Sequence, residues 1–196
     1  MIPALALEDW ANTVAWANPD QLEQDLVLAR QIVEIANDPY LGDELVFRGG
    51  TCLHKLHLSP GLRYSEDLDY VRRSAGGIGE LLAALRNIGD RLGMKVGVDI
   101  SKYPKAKFRA PFESGTGPMR IKVEVNTYER SPARPLTRVP FSVSRHGSPA
   151  PLTSRHSTRP NSSQRSSERC TNDRRAAISS ISGSRSPASP SHPMRS

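Results

Sequence analysis

The chain is poor in the features that mark secreted, disulfide-rich or membrane proteins. It has only 2 cysteines among 196 residues, Cys52 and Cys170, which are too few for a disulfide framework or a zinc site. It contains no apolar run near the roughly 18–20 residues that a membrane span requires. Its first residues, Met-Ile-Pro-Ala-Leu, lack the basic segment of a signal peptide. These absences predict a cytoplasmic protein.

Lysine is missing from the last third of the chain. All six lysines lie before position 123, and residues 131–196 hold 11 arginines against two acidic residues, Glu168 and Asp173. This segment carries +9, and because the whole chain carries +7, residues 1–130 carry −2. A basic balance by itself favours a nucleic-acid-binding protein. Here it describes the C-terminal segment and not the body of the protein.

The C-terminal segment has the composition of a disordered tail. Residues 131–196 contain 18 serines, 11 arginines and 9 prolines, and no apolar periodicity continues beyond residues 141–143. We therefore predict a core over residues 1–143 and a disordered Arg/Ser/Pro-rich tail over 144–196. One alternative is an arginine-serine segment that binds RNA.

A third interpretation of the tail is translation in a shifted reading frame. Out-of-frame reading of a GC-rich gene yields Arg, Ser, Pro, Ala and Thr with almost no Lys, which is the composition of this segment. Codons compatible with the residues from 160 onward then spell a periodic sequence with lysines and aromatics, including S-K-G-R-D-L-F-D-L-W. We favour this interpretation over the RNA-binding tail and place the shift near Val143 and Ser144.

Helical and strand patterns alternate through the body. Apolar spacing of 3 and 4 predicts helices over residues 5–16, 21–35, 51–58 and 78–92, and short or alternating apolar runs predict strands over residues 45–47, 67–71, 94–100, 106–112 and 119–126. This order predicts an α/β (α+β) fold, a small mixed sheet with flanking helices.

A glycine turn follows the first predicted strand. Gly49 and Gly50 precede Thr51 at the start of a predicted helix. Such a turn presents backbone N–H groups at the helix N-terminus, which favours an anion such as a triphosphate. Thr51 is placed to cap the helix or hold a phosphate oxygen, and Lys55, one turn later, to reach the same phosphates. Taken alone, the turn is also compatible with an ordinary loop, and Lys55 with a surface lysine.

Two carboxylates are two residues apart on the next predicted strand. Period two places Asp67 and Asp69 on one face, with Leu68 facing the other way. Neighbouring carboxylates repel each other unless a cation lies between them, and Mg²⁺ takes carboxylate and phosphate oxygens. A third carboxylate comes from Glu124 on an alternating strand or, in the competing assignment, from Asp99. Glu124 is equally compatible with the exposed face of an edge strand.

The combination of these motifs is more specific than any one of them. Residues 47–51 with Lys55, followed by residues 63–69, Arg-Tyr-Ser-Glu-Asp-Leu-Asp, resemble the AbiEii/AbiGii-type nucleotidyltransferase toxins of bacterial toxin–antitoxin and phage-defence systems. The resemblance covers about residues 20–143. It implies a DNA polymerase β-like nucleotidyltransferase core, use of an NTP with Mg²⁺, transfer to the 3′ end of an RNA such as tRNA, and a cognate antitoxin as partner.

The resemblance also implies a role for each motif residue. The residues expected to hold the triphosphate, or to assist there, are Gly49, Gly50, Thr51 and Lys55. Arg63 and Ser65 would shape the loop before the strand that binds the metals. The metals themselves would be held by Asp67, Asp69 and, at the third acidic position, Glu124.

The chain departs from the family pattern after the third acidic position. The family has a later Lys and an Arg-Asp pair that complete the nucleotide site, and residues 131–196 contain no such motif. We therefore expect an impaired enzyme, with the strands near Glu124 facing solvent. The alternatives are an inactive remnant that binds antitoxin or nucleotide, and a basic-tailed RNA-binding protein.

Overall fold

The computed structural model describes residues 2–58, 63–115, 117–130, 136–143 and 176–180. The helices are α1 Ala4–Ala11, α2 Pro19–Asn37, α3 Leu41–Glu44, α4 Gly49–His57 and α5 Gly79–Leu92. The strands are β1 Leu45–Arg48, β2 Asp67–Arg72, β3 Lys95–Asp99, β4 Lys105–Pro111, β5 Pro118–Asn126, β6 Thr137–Phe141 and β7 Ala176–Ser180.

Local sequence signals explain where the longest helix begins. The side chain of Asn18 accepts a hydrogen bond from the backbone N–H of Asp20, and Pro19 occupies the first helical turn, where its missing N–H has no intrahelical partner to lose. The helix ends at Asn37, two residues before Pro39. The prediction of this helix is confirmed, with an extension at both ends.

The first helix is shorter than its apolar pattern predicts. It ends at Ala11, because the hydroxyl and the backbone N–H of Thr13 both donate to the carbonyl of Trp10 and close a turn there. Trp16 consequently lies outside the helix, with its ring edge-on to Tyr64 at 5.7 Å between centroids.

The strands form one mixed sheet in the order β3-β4-β5-β2-β1-β7-β6. Strand β5 runs parallel to β2, whereas β4 and β5, β3 and β4, and β1 and β2 are antiparallel pairs. The predicted α/β fold with a small mixed sheet and flanking helices is confirmed.

The core lies between one face of the sheet and helices α2 and α5. Leu28 and Ile32 of α2 and Leu85 and Ile88 of α5 are fully buried in a cluster that the inward side chains of the central strands complete. Phe47 on β1 stacks on Tyr70 of β2, with ring centroids 5.0 Å apart. Each fully buried aliphatic or aromatic side chain stabilises the fold by roughly 1.5–3 kcal/mol relative to the same side chain left exposed.

The strand that carries Glu124 is in the interior of the sheet. Strand β5 lies between β4 and β2, and Val123 and Val125 on it are fully buried. The interpretation of this strand as a sheet edge, and the expectation that it faces solvent, are therefore wrong. The physical reason is the parallel pairing with β2, which sequence periodicity does not report.

The tail is represented in the described residues by one strand. Residues 176–180 form β7, which pairs in parallel with β1 and antiparallel with β6. The prediction of disorder for the rest of residues 144–196 lies outside the described residues. Within the described part of the chain, no helix is both long and apolar enough to span a membrane.

Candidate active site

The two aspartates of β2 lie on the face of the sheet opposite the core. Leu68 and Tyr70 are buried, whereas Asp67 and Asp69 are partly exposed, so the predicted alternation is present. In the parallel pairing of β2 with β5, Asp69 is the register partner of Glu124 and Asp67 that of Lys122. Directly paired residues share a face of the sheet. The structure thus brings Asp67, Asp69 and Glu124 onto one surface.

Asp99, the competing third carboxylate, lies elsewhere. It is on β3, which two strands, β4 and β5, separate from β2. Its side chain is 3.8 Å from Lys107 and 47% exposed. Strand order, rather than any local signal, therefore places Glu124 beside Asp69.

The carboxylates act on one another electrostatically. Partial burial, followed by the charges of Glu124 and Asp67, raises the pKa of Asp69 above its ordinary value, and Lys122 and Arg48 oppose this rise. Arg48 is the register partner of Asp69 on β1 and also forms an ion pair with Glu129 at 3.2 Å. A nearby cation would stabilise the charged form of such a carboxylate.

Lysines neutralise part of this negative charge. The Nζ atom of Lys122 is 3.0 Å from Asp67 and 3.9 Å from Glu124, and Lys105 is 3.4 Å from Glu124. Within the described ranges, no three His, Cys, Asp or Glu side chains form a group that could hold a metal ion as arranged. The donors nevertheless suit a hard divalent cation, since all three are carboxylates on one surface and one has a raised pKa.

The glycine turn lies directly against the aspartates. Gly49 has φ +83°, a conformation that side chains disfavour, and a β-carbon there would come within 2.7 Å of Oδ2 of Asp69. A β-carbon on Gly50 would come within 2.8 Å of the Arg63 guanidinium. Because Gly49 and Gly50 lack side chains, Asp69 and Arg63 can lie directly against the start of α4.

Thr51 connects the glycine turn to the loop before β2. Its hydroxyl donates to the carbonyl of Asp67 at 2.8 Å and is 2.6 Å from the hydroxyl of Ser65. Thr51 is buried, and the cap position of α4 is Arg48. The prediction that Thr51 caps the helix is wrong, because the helix begins two residues earlier. Thr51 and Ser65 fix the start of β2.

Lys55 forms an ion pair with helix α2. Its Nζ atom is 2.6 Å from Oδ1 of Asp25 on α2 and 5.3 Å from the centroid of the Trp10 ring, which itself donates to Asp25 at 2.9 Å. Burial lowers the pKa of Lys55, while Asp25 opposes that change. The packing of α2 thus supplies Lys55 with an anion, and its predicted role at the phosphates stays a prediction.

Three residues of this region were not singled out from the sequence. Lys122 had a usable signal, since it lies two residues before Glu124 on an alternating strand. Arg48 and Asp25 had none, because the pairing of β1 with β2 and the packing of α2 on α4 are contacts between distant segments.

Three solved structures are similar to part of this chain. JHP933 from Helicobacter pylori is 17% identical with a TM-score of 0.44, over 62% of this chain and 50% of that one. A putative nucleotidyltransferase from H. pylori is 20% identical with a TM-score of 0.42, over 61% and 51%. MenT4, a nucleotidyltransferase toxin from Mycobacterium tuberculosis, is 22% identical with a TM-score of 0.47, over 71% and 47%. The chain thus spans about half the length of these proteins.

Comparison with curated proteins gives no match. A family model, described as the nucleotidyl transferase AbiEii toxin of type IV toxin–antitoxin systems, matches residues 31–153. That range includes the glycine turn, both aspartates of β2 and Glu124. Since it covers more than half of the sequence, the chain belongs to the AbiEii nucleotidyl transferase toxin family.

Proposed function

We propose that this protein descends from a metal-dependent enzyme that transfers a nucleotide from an NTP to the 3′ end of an RNA, such as tRNA. The observation that carries the proposal is the pairing of Asp69 with Glu124 on the face that also bears Asp67, directly against the glycine turn at the start of α4. This arrangement combines a triphosphate-type anion site with a carboxylate cluster. Membership of the AbiEii family supports the same reaction class.

Each side chain has a distinct role in this proposal. Asp67, Asp69 and Glu124 would hold Mg²⁺, which when bound neutralises phosphate charge and favours attack by the RNA 3′ oxygen on the α-phosphate, with pyrophosphate leaving. The backbone N–H groups of Gly49, Gly50 and Thr51 would bind the outgoing phosphates at the helix N-terminus.

Three further side chains would support the glycine turn and the start of β2. Arg63 would add positive charge beside Gly50, where its guanidinium already lies. Ser65 would hold the start of β2 through its contact with Thr51. Lys55 would position α4 through Asp25, and a direct role at the phosphates requires that it leave this ion pair.

A direct test is label transfer to RNA. Purified chain is incubated with α-labelled NTPs, Mg²⁺ and an RNA pool rich in tRNA, and label at RNA 3′ ends is counted. Asp69→Asn should abolish any transfer, whereas the matched variant Asp99→Asn, on the edge strand β3, should retain it. Transfer that is detectable in the parent, or in the chain with its reading frame restored near residue 143, and that is unchanged by Asp69→Asn would contradict the proposal.

We also propose that activity is impaired in the chain as written. The proposal is supported by the absence of a Lys and Arg-Asp motif from residues 131–196 and by the lysine-free composition of this segment. Residues 1–143 would be an incomplete nucleotidyltransferase core and residues 144–196 an out-of-frame tail. A gene with the frame restored near residue 143 should give a product at least 100-fold more active. Equal activity of the two products would contradict impairment.

A cognate antitoxin is the proposed protein partner, as membership of a toxin–antitoxin family implies. Co-expression of the neighbouring open reading frame with the frame-restored chain should suppress growth inhibition. Persistent inhibition with both proteins present would show that this neighbour is not the partner.

A further inference from the structure

One face of β3, β4 and β5 concentrates basic side chains. Alternate residues such as Phe108 and Val123 enter the core, so the intervening residues lie on the opposite face. We call the following six residues the basic face: Lys95 on β3, Lys105, Lys107 and Arg109 on β4, and Arg120 and Lys122 on β5.

The strand register arranges these residues in rows. The first row is all cationic, since Lys95 pairs with Arg109 and Arg109 with Arg120. The second row joins Lys107 to Lys122 and ends on Asp67, and the third runs from Asp99 through Lys105 and Glu124 to Asp69. The basic face is therefore continuous with the carboxylates of the candidate active site.

The first row is unfavourable in the free protein. Side chains directly opposite on adjacent strands are about 4.5–5.5 Å apart at Cβ, and like charges there destabilise the sheet. Lys95, Arg109 and Arg120 are all exposed, and none of the ion pairs among the described residues includes them. A polyanion laid across this row would remove the repulsion.

We infer that the basic face binds the phosphate backbone of the RNA acceptor behind its 3′ end, an inference that rests on the proposed nucleotidyl transfer. Rows two residues apart are separated by about 6.6–6.8 Å, so the first and third rows span about 13 Å. At about 3.4 Å per stacked nucleotide, this distance matches roughly four nucleotides. An RNA whose terminal hydroxyl lies at Asp69 thus has its preceding phosphates over the cationic rows.

The third row favours RNA over an acidic protein as the occupant. Glu124 and Asp69 would repel the side chains of an acidic polypeptide that continued along the face. A terminal ribose carries an uncharged hydroxyl and is compatible with that end of the surface. The change from cations to carboxylates therefore matches a polyanion that ends in a neutral group.

The test measures the salt dependence of RNA binding by the full chain. The probe is a 12-nucleotide single-stranded RNA with a free 3′ hydroxyl and a 5′ fluorophore, followed by anisotropy with EDTA and without NTP. Each phosphate contact contributes about 0.7 to the slope of log K against log salt. Arg109→Gln should reduce that slope by about 0.7, and Lys95→Gln/Lys107→Gln/Arg109→Gln by about 2.

Arg86→Gln is the matched control, because Arg86 is an exposed arginine on α5, away from the basic face. It should leave the slope unchanged. The triple variant should keep the parental unfolding temperature or exceed it, since like-charge pairs are removed. A slope that is unchanged in the triple variant would overturn the inference, and would assign RNA binding to other cations such as the arginines of residues 144–196.

A second probe, poly-L-glutamate, separates RNA from an acidic protein. Loss of poly-L-glutamate binding with RNA binding intact in the triple variant would also overturn the inference. Failure of the inference is distinguishable from failure of the proposed function, because binding is measured without NTP or metal. A reduced slope in a protein whose frame-restored form transfers no label would refute the reaction and support the surface.

Discussion

Asp69 and Gly49 are in such close contact that a β-carbon at position 49 would lie 2.7 Å from the carboxylate oxygen Oδ2. The glycine turn and β2 therefore form one structural unit. A side chain at position 49 would displace Asp69, and the φ of +83° at Gly49 also disfavours such a side chain. The following predictions address this unit and its surroundings.

Gly49→Ala should destabilise the protein and displace Asp69. The new methyl group meets both an unfavourable φ and the Asp69 carboxylate, so a loss of about 1–3 kcal/mol in the free energy of unfolding is expected. Urea unfolding followed by circular dichroism measures this loss. Gly77→Ala is the control, since a β-carbon there meets nothing within 4 Å. Equal stability of the two variants would contradict the close contact.

Asp69→Asn should stabilise the fold at neutral pH while it removes activity. Burial and the charges of Glu124 and Asp67 raise the pKa of Asp69 above 3.8, so the folded state holds this proton more tightly than the unfolded state does. The favourable contribution is present at low pH and is lost as pH rises through the raised pKa. Removing the ionised group at pH 7 should therefore raise the free energy of unfolding by about 0.5–2 kcal/mol.

The gain from Asp69→Asn should shrink as pH falls through the raised pKa of Asp69 and vanish below 3.8, the ordinary pKa of aspartate, because the parent is then protonated in both states. Chemical unfolding at several pH values measures it. Asp67→Asn, which loses the ion pair with Lys122, should give no comparable gain. A loss of stability for Asp69→Asn at pH 7 would contradict this account.

Lys55→Met should destabilise the protein more than Lys55→Met/Asp25→Asn does. The single change leaves the buried Asp25 carboxylate, 2% exposed, with the Trp10 indole N–H as a donor and without the Lys55 cation. Breaking such a pair on one side costs about 3–5 kcal/mol, whereas replacing both members is much less unfavourable. Thermal and urea unfolding of both variants measure the difference. Additive losses would show that the two side chains do not interact.

Lys122→Met should increase the affinity for a divalent cation. The ammonium is 3.0 Å from Asp67 and 3.9 Å from Glu124, so it competes for the same carboxylates. Exposed ion pairs contribute about 0.2–1 kcal/mol, which corresponds to up to about fivefold in affinity. Titration with Mn²⁺ followed by calorimetry measures it, with Lys107→Met as control. Weaker binding by Lys122→Met would show that Lys122 assists the metal instead.

Much of the secondary structure follows from local sequence. Period two over residues 67–71 predicts that Asp67 and Asp69 share a face, and the structure shows Leu68 and Tyr70 buried between and beyond them. The helix over residues 78–92 is nearly as predicted, from Gly79 to Leu92. These patterns are readable because the periodicity of a strand or helix is a property of neighbouring residues. The roles of individual site residues stay predictions.

The sequence by itself determined most of the helices and strands of residues 1–130, the order of the motifs and the separation of the −2 body from the +9 segment. Only the tertiary structure decided that Glu124 rather than Asp99 lies beside Asp69, and that Lys55 pairs with Asp25. Strand order and helix packing join residues far apart in the chain, and their free energy depends on the whole core. No local pattern encodes those contacts.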